Sequence, residues 1–364
     1  MAASADWYEL LEMSRLTQTS GGAASDGTPV CFVGPPGISK TAITRDYCDS
    51  INHHCEVIIL GRIPSVDVGG IYAPDFDKGE LRHMITRRLL GTVEGAKGKD
   101  GVCIFFDEFG NTTDEQQTAI QSIVQDRILE GHPVPDNVWY TFATNPSDAN
   151  CGSHEITQSM GSRMLVAPVD QDSIMKNVFP RWLVWAVERG NIDPRIVGFF
   201  KHNGGGDEGE LFHAFDPGSA TYSQPNPRNW TKLSRIMDNN PSPQTLDYCG
   251  QRKLGETVYQ EFRLFLDYAT EIPTPEEIIA DPNGCLVHAK PGHKYATLSN
   301  LASYLKKLDK IPTDVVDKVI TYLRLFPETF AVFGFRMMAH AHDDFSSVSN
   351  EYGKFLVEHQ DLSI

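Results

Sequence analysis

The sequence predicts an α/β fold, a parallel sheet sandwiched by helices, with a purely helical region behind it. Three observations predict this. Val30 to Val33 (V-C-F-V) is an apolar, partly β-branched run that stops at Gly34, and helix-forming residues begin near Lys40. That is a buried strand, a tight loop and a helix in succession. Val102 to Phe106 is a second continuous apolar run, the pattern of a strand covered on both faces. Strand and helix patterns alternate from Val30 to Val169, and strands cease after Asp172.

The elements follow in order. Trp7, Leu10, Leu11 and Leu16 lie at near-helical spacing, so Asp6 to Leu16 reads as a leading helix and the Gly/Ser/Thr-rich stretch Thr17 to Thr28 as a loop. Thr41 to Ile51 reads as helix and Cys55 to Leu60 as strand. Gly61 to Leu81 is a long glycine-rich loop whose D-K-G predicts a hairpin, and His83 to Glu94 reads as a helix near the basic residues Arg82, Arg87 and Arg88. Thr113 to Leu129 is a well-signalled helix, with Thr112 or Thr113 as cap and Glu115 close behind. Gly131 to Asn137 is a turn or small hairpin, and Trp139 to Thr144 and Met164 to Val169 are strands. Helical patterns then occupy Ile174 to Arg189, Ile192 to Lys201, Pro227 to Met237, Lys253 to Tyr268, Leu298 to Leu308, Pro312 to Leu325, Thr329 to Ala341 and Glu351 to His359.

At 364 residues the chain exceeds one ordinary core, so two or three packed units are expected. The 48 acidic against 32 basic residues leave a net charge of −16, which disfavours a non-specific grip on nucleic acid or an anionic membrane. No apolar run approaches the roughly 20 residues that span a bilayer, and the first residues have neither the basic nor the apolar region of a signal peptide. Seven cysteines, scattered without a C-x-x-C, point to a reducing compartment, so a cytoplasmic location is expected.

Two stretches carry chemistry. Gly34, Lys40 and Thr41 fit a phosphate-binding loop of the form G-x-x-x-x-G-K followed by Ser or Thr. Backbone N–H groups and the helix dipole favour a polyphosphate there, Lys40 adds charge, and the Thr41 hydroxyl is a ligand for Mg²⁺. Ser39 stands where the second glycine is usual, and its side chain crowds the approach of phosphate to the backbone. Asp107 and Glu108 end the second apolar strand, where open α/β sheets bind ligands. Asp107 suits the Mg²⁺ shell, and Glu108 suits orienting or deprotonating a water; a helix-capping role is the alternative for both. Asn145, before Pro146, either donates to a phosphate or water or forms a turn. His53, His54 and Cys55, and the run His340 to Asp344, contain metal-ligating residue types, but neither has ordinary metal-site spacing.

Taken together, the ordered motifs resemble the AAA+ ATPases, specifically their MoxR branch in forms common in bacteria and their phages, over Thr28 to about Met237. The resemblance implies a P-loop NTPase core at 28–171 behind an N-terminal helix and loop at 1–27. A helical lid at 172–240 and a helical C-terminal region at 241–364 follow. G-P-P-G-I-S-K-T matches Walker A, so Gly34, Pro35, Pro36, Gly37, Ile38, Ser39, Lys40, Thr41 and Ala42 would hold ATP. I-F-F-D-E matches Walker B, giving Asp107 to Mg²⁺ together with Thr41, and Glu108 to catalysis. A-T-N-P matches sensor 1 at Asn145. S-M-G-S-R-M stands where the family carries an arginine finger, here Arg163, with Arg127 a rival and a surface ion pair the plain alternative. P-R-N-W resembles sensor 2, with Arg228 toward the γ-phosphate. The resemblance further implies a helix-two insertion beginning at D-V-G-G-I-Y-A-P-D, a hairpin before sensor 1, and a homo-oligomeric, hexameric ring. The implied client is a protein with a von Willebrand A-like or metallopeptidase-like domain. Other classes consistent with these motifs are a DNA-acting AAA+ protein, which Arg82, Arg87 and Arg88 would serve, and a non-hydrolysing ATP-bound scaffold, which Ser39 would suit.

Overall fold

The computed structural model describes residues 5–19, 27–63, 71–84, 91, 96–129, 132–147, 154, 156–207, 209–219 and 223–359. They form two units, the first running to Val178 with Asp216–Gly218, the second comprising Phe179–Phe215 and Ser219 onward.

The first unit is built on five parallel strands, β1 (Val30–Val33), β2 (His53–Ile59), β5 (Gly101–Asp107), β8 (Val138–Thr144) and β9 (Leu165–Pro168), in the order β2-β5-β8-β1-β9. The hairpins β3 (Ile71–Asp75) with β4 (Glu80–Met84), and β6 (Ile128–Leu129) with β7 (His132–Pro133), stand outside that sheet. Because all five strands run the same way, the loops after β1, β5 and β8 emerge at one edge, beside the point where strand order reverses around β1. One face of the sheet buries Ile58, Ile104, Phe106, Tyr140 and Phe142 in a single cluster with Ile120, Ile123 and Val124 of the helix Asp114–Asp126. The leading helix, Trp7–Thr19, is fixed by Trp7, whose indole donates to Ser173 Oγ at 2.9 Å and lies 4.7 Å from the Phe32 ring.

Several boundaries differ from the sequence expectation, each for a local reason. The leading helix continues past Leu16 to Thr19, because the Gln18 amide bonds both the N–H and the C=O of Tyr140. The helix that begins at Asp114 stops at Asp126, where Arg127 turns left-handed at φ 50, and Ile128 and Leu129 become a strand instead of its last turn. Its capping box joins Thr113 to Gln116, not Glu115; losing such a cap costs about 1 kcal/mol. His83 and Met84 belong to β4 rather than to a helix. The expected helix over 85–90 and 92–95 lies outside the described residues, as does the start of the D-V-G-G segment at 67–70.

The named elements described in the second unit are all helices. Its helices include Phe179–Glu188, Pro194–Asn203, Pro227–Met237, Pro243–Leu254, Glu256–Asp267, Pro291–Leu305, Thr313–Leu323, Glu328–Ala341 and Asn350–Glu358. The stretch read as one helix from Lys253 to Tyr268 is divided at Gly255, whose φ of 79 ends one helix and starts the next. No described helix is long and apolar enough to cross a membrane. The chain thus has the expected fold class: a helix-flanked parallel sheet with a phosphate-type loop after its first strand, followed by a helical region.

Candidate functional site

The site starts with the way β1 ends. Gly34 N donates to Thr144 O at 3.1 Å, which carries the β1–β8 ladder one residue into the loop. A β-carbon at Gly34 would lie 2.7 Å from Val169 Cβ, so only glycine packs there. Pro35 is buried, Ile38 is fully buried beneath the loop, and Pro36, Gly37 and Ser39 are half-buried. Gly37 and Ser39 both take positive φ, 83 and 70. Glycine adopts this conformation freely, whereas a serine is strained by about 1–2 kcal/mol. Ser39 is the N-cap of the helix Lys40–Ser50 yet makes no side-chain capping bond. Ala42 follows in the first turn.

Lys40, 8% exposed, reaches across this loop. Its ammonium donates to Gly34 O at 2.6 Å, Pro35 O at 3.0 Å and Asn145 Oδ1 at 3.3 Å. One residue on, the Thr41 hydroxyl donates to Asp107 Oδ2 at 2.8 Å, and the other oxygen, Oδ1, accepts from Glu108 N at 2.9 Å. Glu108 is left-handed at φ 57 and ψ 37, with Glu108 Oε2 placed beside Gly61. Among the described residues its carboxylate accepts no hydrogen bond. Backbone behind it is held by Gly110 N, which donates to Thr144 Oγ1 at 3.0 Å.

The parallel register therefore brings Lys40, Thr41, Asp107, Glu108 and Asn145 to one edge of the sheet. A hydroxyl and a carboxylate 2.8 Å apart are hard oxygen donors of the kind Mg²⁺ takes. A cationic lysine over a glycine-bearing loop at a helix N-terminus is the complement of a polyphosphate. These residues fit ATP with Mg²⁺.

The arginines are placed differently from one another. Arg163 lies in the same unit, half-buried, its guanidinium on Gln125 Oε1 at 2.9 Å and Ser159 O at 2.7 Å, and among the described residues no carboxylate is bonded to it. Arg127 is 7% exposed and donates to Pro135 O at 2.8 Å and Val138 O at 2.9 Å, with Tyr140 6.0 Å beneath it. Moving it outward would break both of these bonds and expose a guanidinium now packed against Tyr140, so the geometry favours a structural place for it. Arg228 belongs to the second unit, exposed in the first turn of Pro227–Met237. That turn is fixed by Asn226, which caps Asn229 N at 2.9 Å, and by Trp230, fully buried with its indole on Leu211 O at 3.0 Å.

The two metal readings dissolve. His53 and His54 point to opposite faces of β2; His53 Nδ1 accepts from the Trp139 indole at 3.2 Å, and burial pushes its pKa below the usual value. His342 takes Leu308 O at 3.0 Å and bonds Asp344 N at 3.1 Å, which ties a helix end and gathers no ligands. Sequence reasoning missed a thiol group instead, Cys48, Cys55 and Cys103. The pairing of β2 with β5 and the placement of the helix Lys40–Ser50 together reveal it.

No family model and no curated protein matches the sequence. Among solved structures, a point mutant of Thermotoga maritima RuvB is similar over 96% of this chain and 86% of its own, at 11% identity and a TM-score of 0.36. The Thermotoga maritima RuvB Holliday junction branch migration motor is similar over 75% and 72%, at 13% and 0.34. NtrX from Brucella abortus is similar over 67% and 53%, at 15% and 0.35. At such scores the likeness adds nothing to the strand order and loop geometry, on which the fold assignment rests.

Proposed function

We propose that the protein is an Mg²⁺-dependent ATPase of the AAA+ type, similar to the MoxR branch, that works as a homo-oligomeric ring and remodels a partner protein. The observation that carries the reading is the convergence of Lys40, Thr41, Asp107 and Asn145 at the carboxyl ends of β1, β5 and β8. In it, the loop from Gly34 to Ala42 wraps the phosphates, Lys40 neutralises them, and Thr41 and Asp107 hold Mg²⁺. Bound there, Mg²⁺ supplies charge compensation to the phosphoryl oxygens. Glu108, free of side-chain partners among the described residues, takes a proton from water, and Asn145 orients that water. Arg163 is the finger offered to a neighbouring subunit, since leaving Gln125 and Ser159 uncovers only polar groups near solvent. By the same resemblance, Arg228 of the second unit would serve as the sensor 2 arginine.

Two surface features support assembly and client contact. The edge strand β9 leaves Leu165 45% and Val166 38% exposed, apolar groups that a neighbouring copy would cover. The tip of the β3–β4 hairpin presents Phe76, 90% exposed, as an aromatic group for an unfolded segment of the client. The DNA-acting reading gains no support among the described residues: Arg82 lies in β4, and Arg87 and Arg88 fall outside them.

The test is the ATPase rate as a function of protein concentration, with particle mass measured with and without ATP. A specific activity that climbs with concentration, together with a mass near six chains, is expected. A constant rate from a monomer removes the ring and the trans-acting Arg163, and binding without hydrolysis converts the reading to a nucleotide-held scaffold.

A further inference from the structure

The face of the sheet turned away from Ile58, Ile104 and Phe106 carries a group that nucleotide chemistry does not use. Cys55 on edge strand β2 stands directly opposite Cys103 on β5. Cys48 comes from the last turn of the helix Lys40–Ser50. The three Sγ atoms all lie within 4.8 Å of one another. Cys48 and Cys103 are fully buried, while Cys55 is only half-buried at the sheet edge, which leaves an ion a way in. Three sulfurs bound to one ion at metal–sulfur distances near 2.3 Å stand about 4 Å apart, so a contraction of less than about 1 Å completes the shell.

The donor set is selective. Among the described residues no His, Asp or Glu joins it. His54 lies on the other face, and His53 spends Nδ1 on Trp139. Soft sulfur donors exclude hard ions, and Zn²⁺ would have to complete its four-coordinate shell with water, whereas three thiolates alone satisfy a soft monovalent ion.

We propose that Cys48, Cys55 and Cys103 form a three-thiolate site for a soft monovalent cation of the Cu(I) class. Binding replaces S–H bonds by sulfur–metal bonds, the protons pass to the buffer, and no electron is transferred. The bound ion would tie the far end of the phosphate-loop helix to β2 and β5. The site stands independently of the ATPase reading.

The experiment titrates the full, reduced chain with Cu(I) under anaerobic conditions against a chromophoric Cu(I) chelator. One ion per chain is expected to be retained, with three sulfur neighbours by X-ray absorption and a raised thermal midpoint. Cys55→Ser, the least buried of the three substitutions, is expected to weaken retention by at least the roughly 10–100-fold that an outer partner is worth at a metal site. Cys249→Ser and Cys285→Ser, both in the second unit, are expected to change nothing. Wild-type affinity in a Cys55→Ser chain whose melting shows it folded overturns the site. So does loss of the ion in Cys249→Ser or Cys285→Ser, or tighter retention of Zn²⁺ than of Cu(I).

Discussion

At the strand ends of the first unit, a lysine, a threonine, two carboxylates and an asparagine face one another within hydrogen-bond range or one residue of it. At the centre of the second unit, Trp230 lies among Phe199, Phe200 and Phe262 with ring centroids 5.6, 4.8 and 5.5 Å away. The first arrangement restricts residue type at each position, because charge and hydrogen-bond geometry have few solutions. The second restricts only volume and shape, which many apolar residues satisfy. One unit therefore advertises its chemistry in sequence and the other advertises only that it packs.

The sharpest way to break that division is to separate turnover from stability. Glu108→Gln keeps shape and removes a carboxylate that no described side chain supports, so both thermal transitions should stay in place and nucleotide affinity should persist. Turnover should fall by roughly 10²–10⁴, the range for a lost general base. Steady-state ATPase assays with calorimetry on the same sample decide it. Wild-type turnover would take Glu108 out of catalysis, and a lower midpoint would show that the strained carboxylate is a structural group after all.

The converse substitution lies in the second unit. Asp193 is 2% exposed, pairs with the Arg195 guanidinium at 2.9 and 2.7 Å, and caps Arg195 N at 2.9 Å. Burial by itself would raise its pKa, but the Arg195 hydrogen bonds override it and hold the carboxyl below the usual range. A lowered folded-state pKa means stability that is complete above the unfolded value of about 3.9 and lost as pH falls through the folded one. Asp193→Asn keeps the cap and strands the arginine charge, at a loss of about 2–3 kcal/mol because Arg195 retains some water. The expected result is an earlier thermal transition for this unit at pH 7, a difference that shrinks below about pH 4, and unchanged nucleotide affinity well below the transition. Equal midpoints at pH 7 would show the pair to be energetically neutral.

How far the sequence reached follows the same line. The loop after Val33, the strand ending at Asp107 and the helix opening at Pro227 were legible, because a glycine, an acidic pair or a proline marks each edge. Gly255 was not, since a glycine inside a helical pattern marks a break only when its φ is known. Nor was the turn at Arg127, where a left-handed arginine is tolerated because its side chain is anchored to Pro135 and Val138. The thiol group is the clearest case. Cys48, Cys55 and Cys103 have no spacing that links them; the helix geometry and the β2–β5 register do so.

The smallest expected effect bears on the one place where the first unit departs from its own chemical logic. Ser39 holds φ 70 and ψ 21 without a capping bond, beside the residues proposed to wrap phosphate. Ser39→Gly removes left-handed strain of about 1–2 kcal/mol, against which the more flexible unfolded chain returns about 0.4–1 kcal/mol. A net gain of up to about 1 kcal/mol is expected, read as a slightly higher midpoint for the first unit only. The same change opens the loop's N–H groups, so nucleotide should bind more tightly, by isothermal titration, than the midpoint shift alone accounts for. A gain in stability with no gain in affinity would place the serine's crowding away from the phosphates. A gain in neither would mean that the loop relaxes around Ser39, and that its strain is absorbed by the half-buried neighbours Pro36 and Gly37.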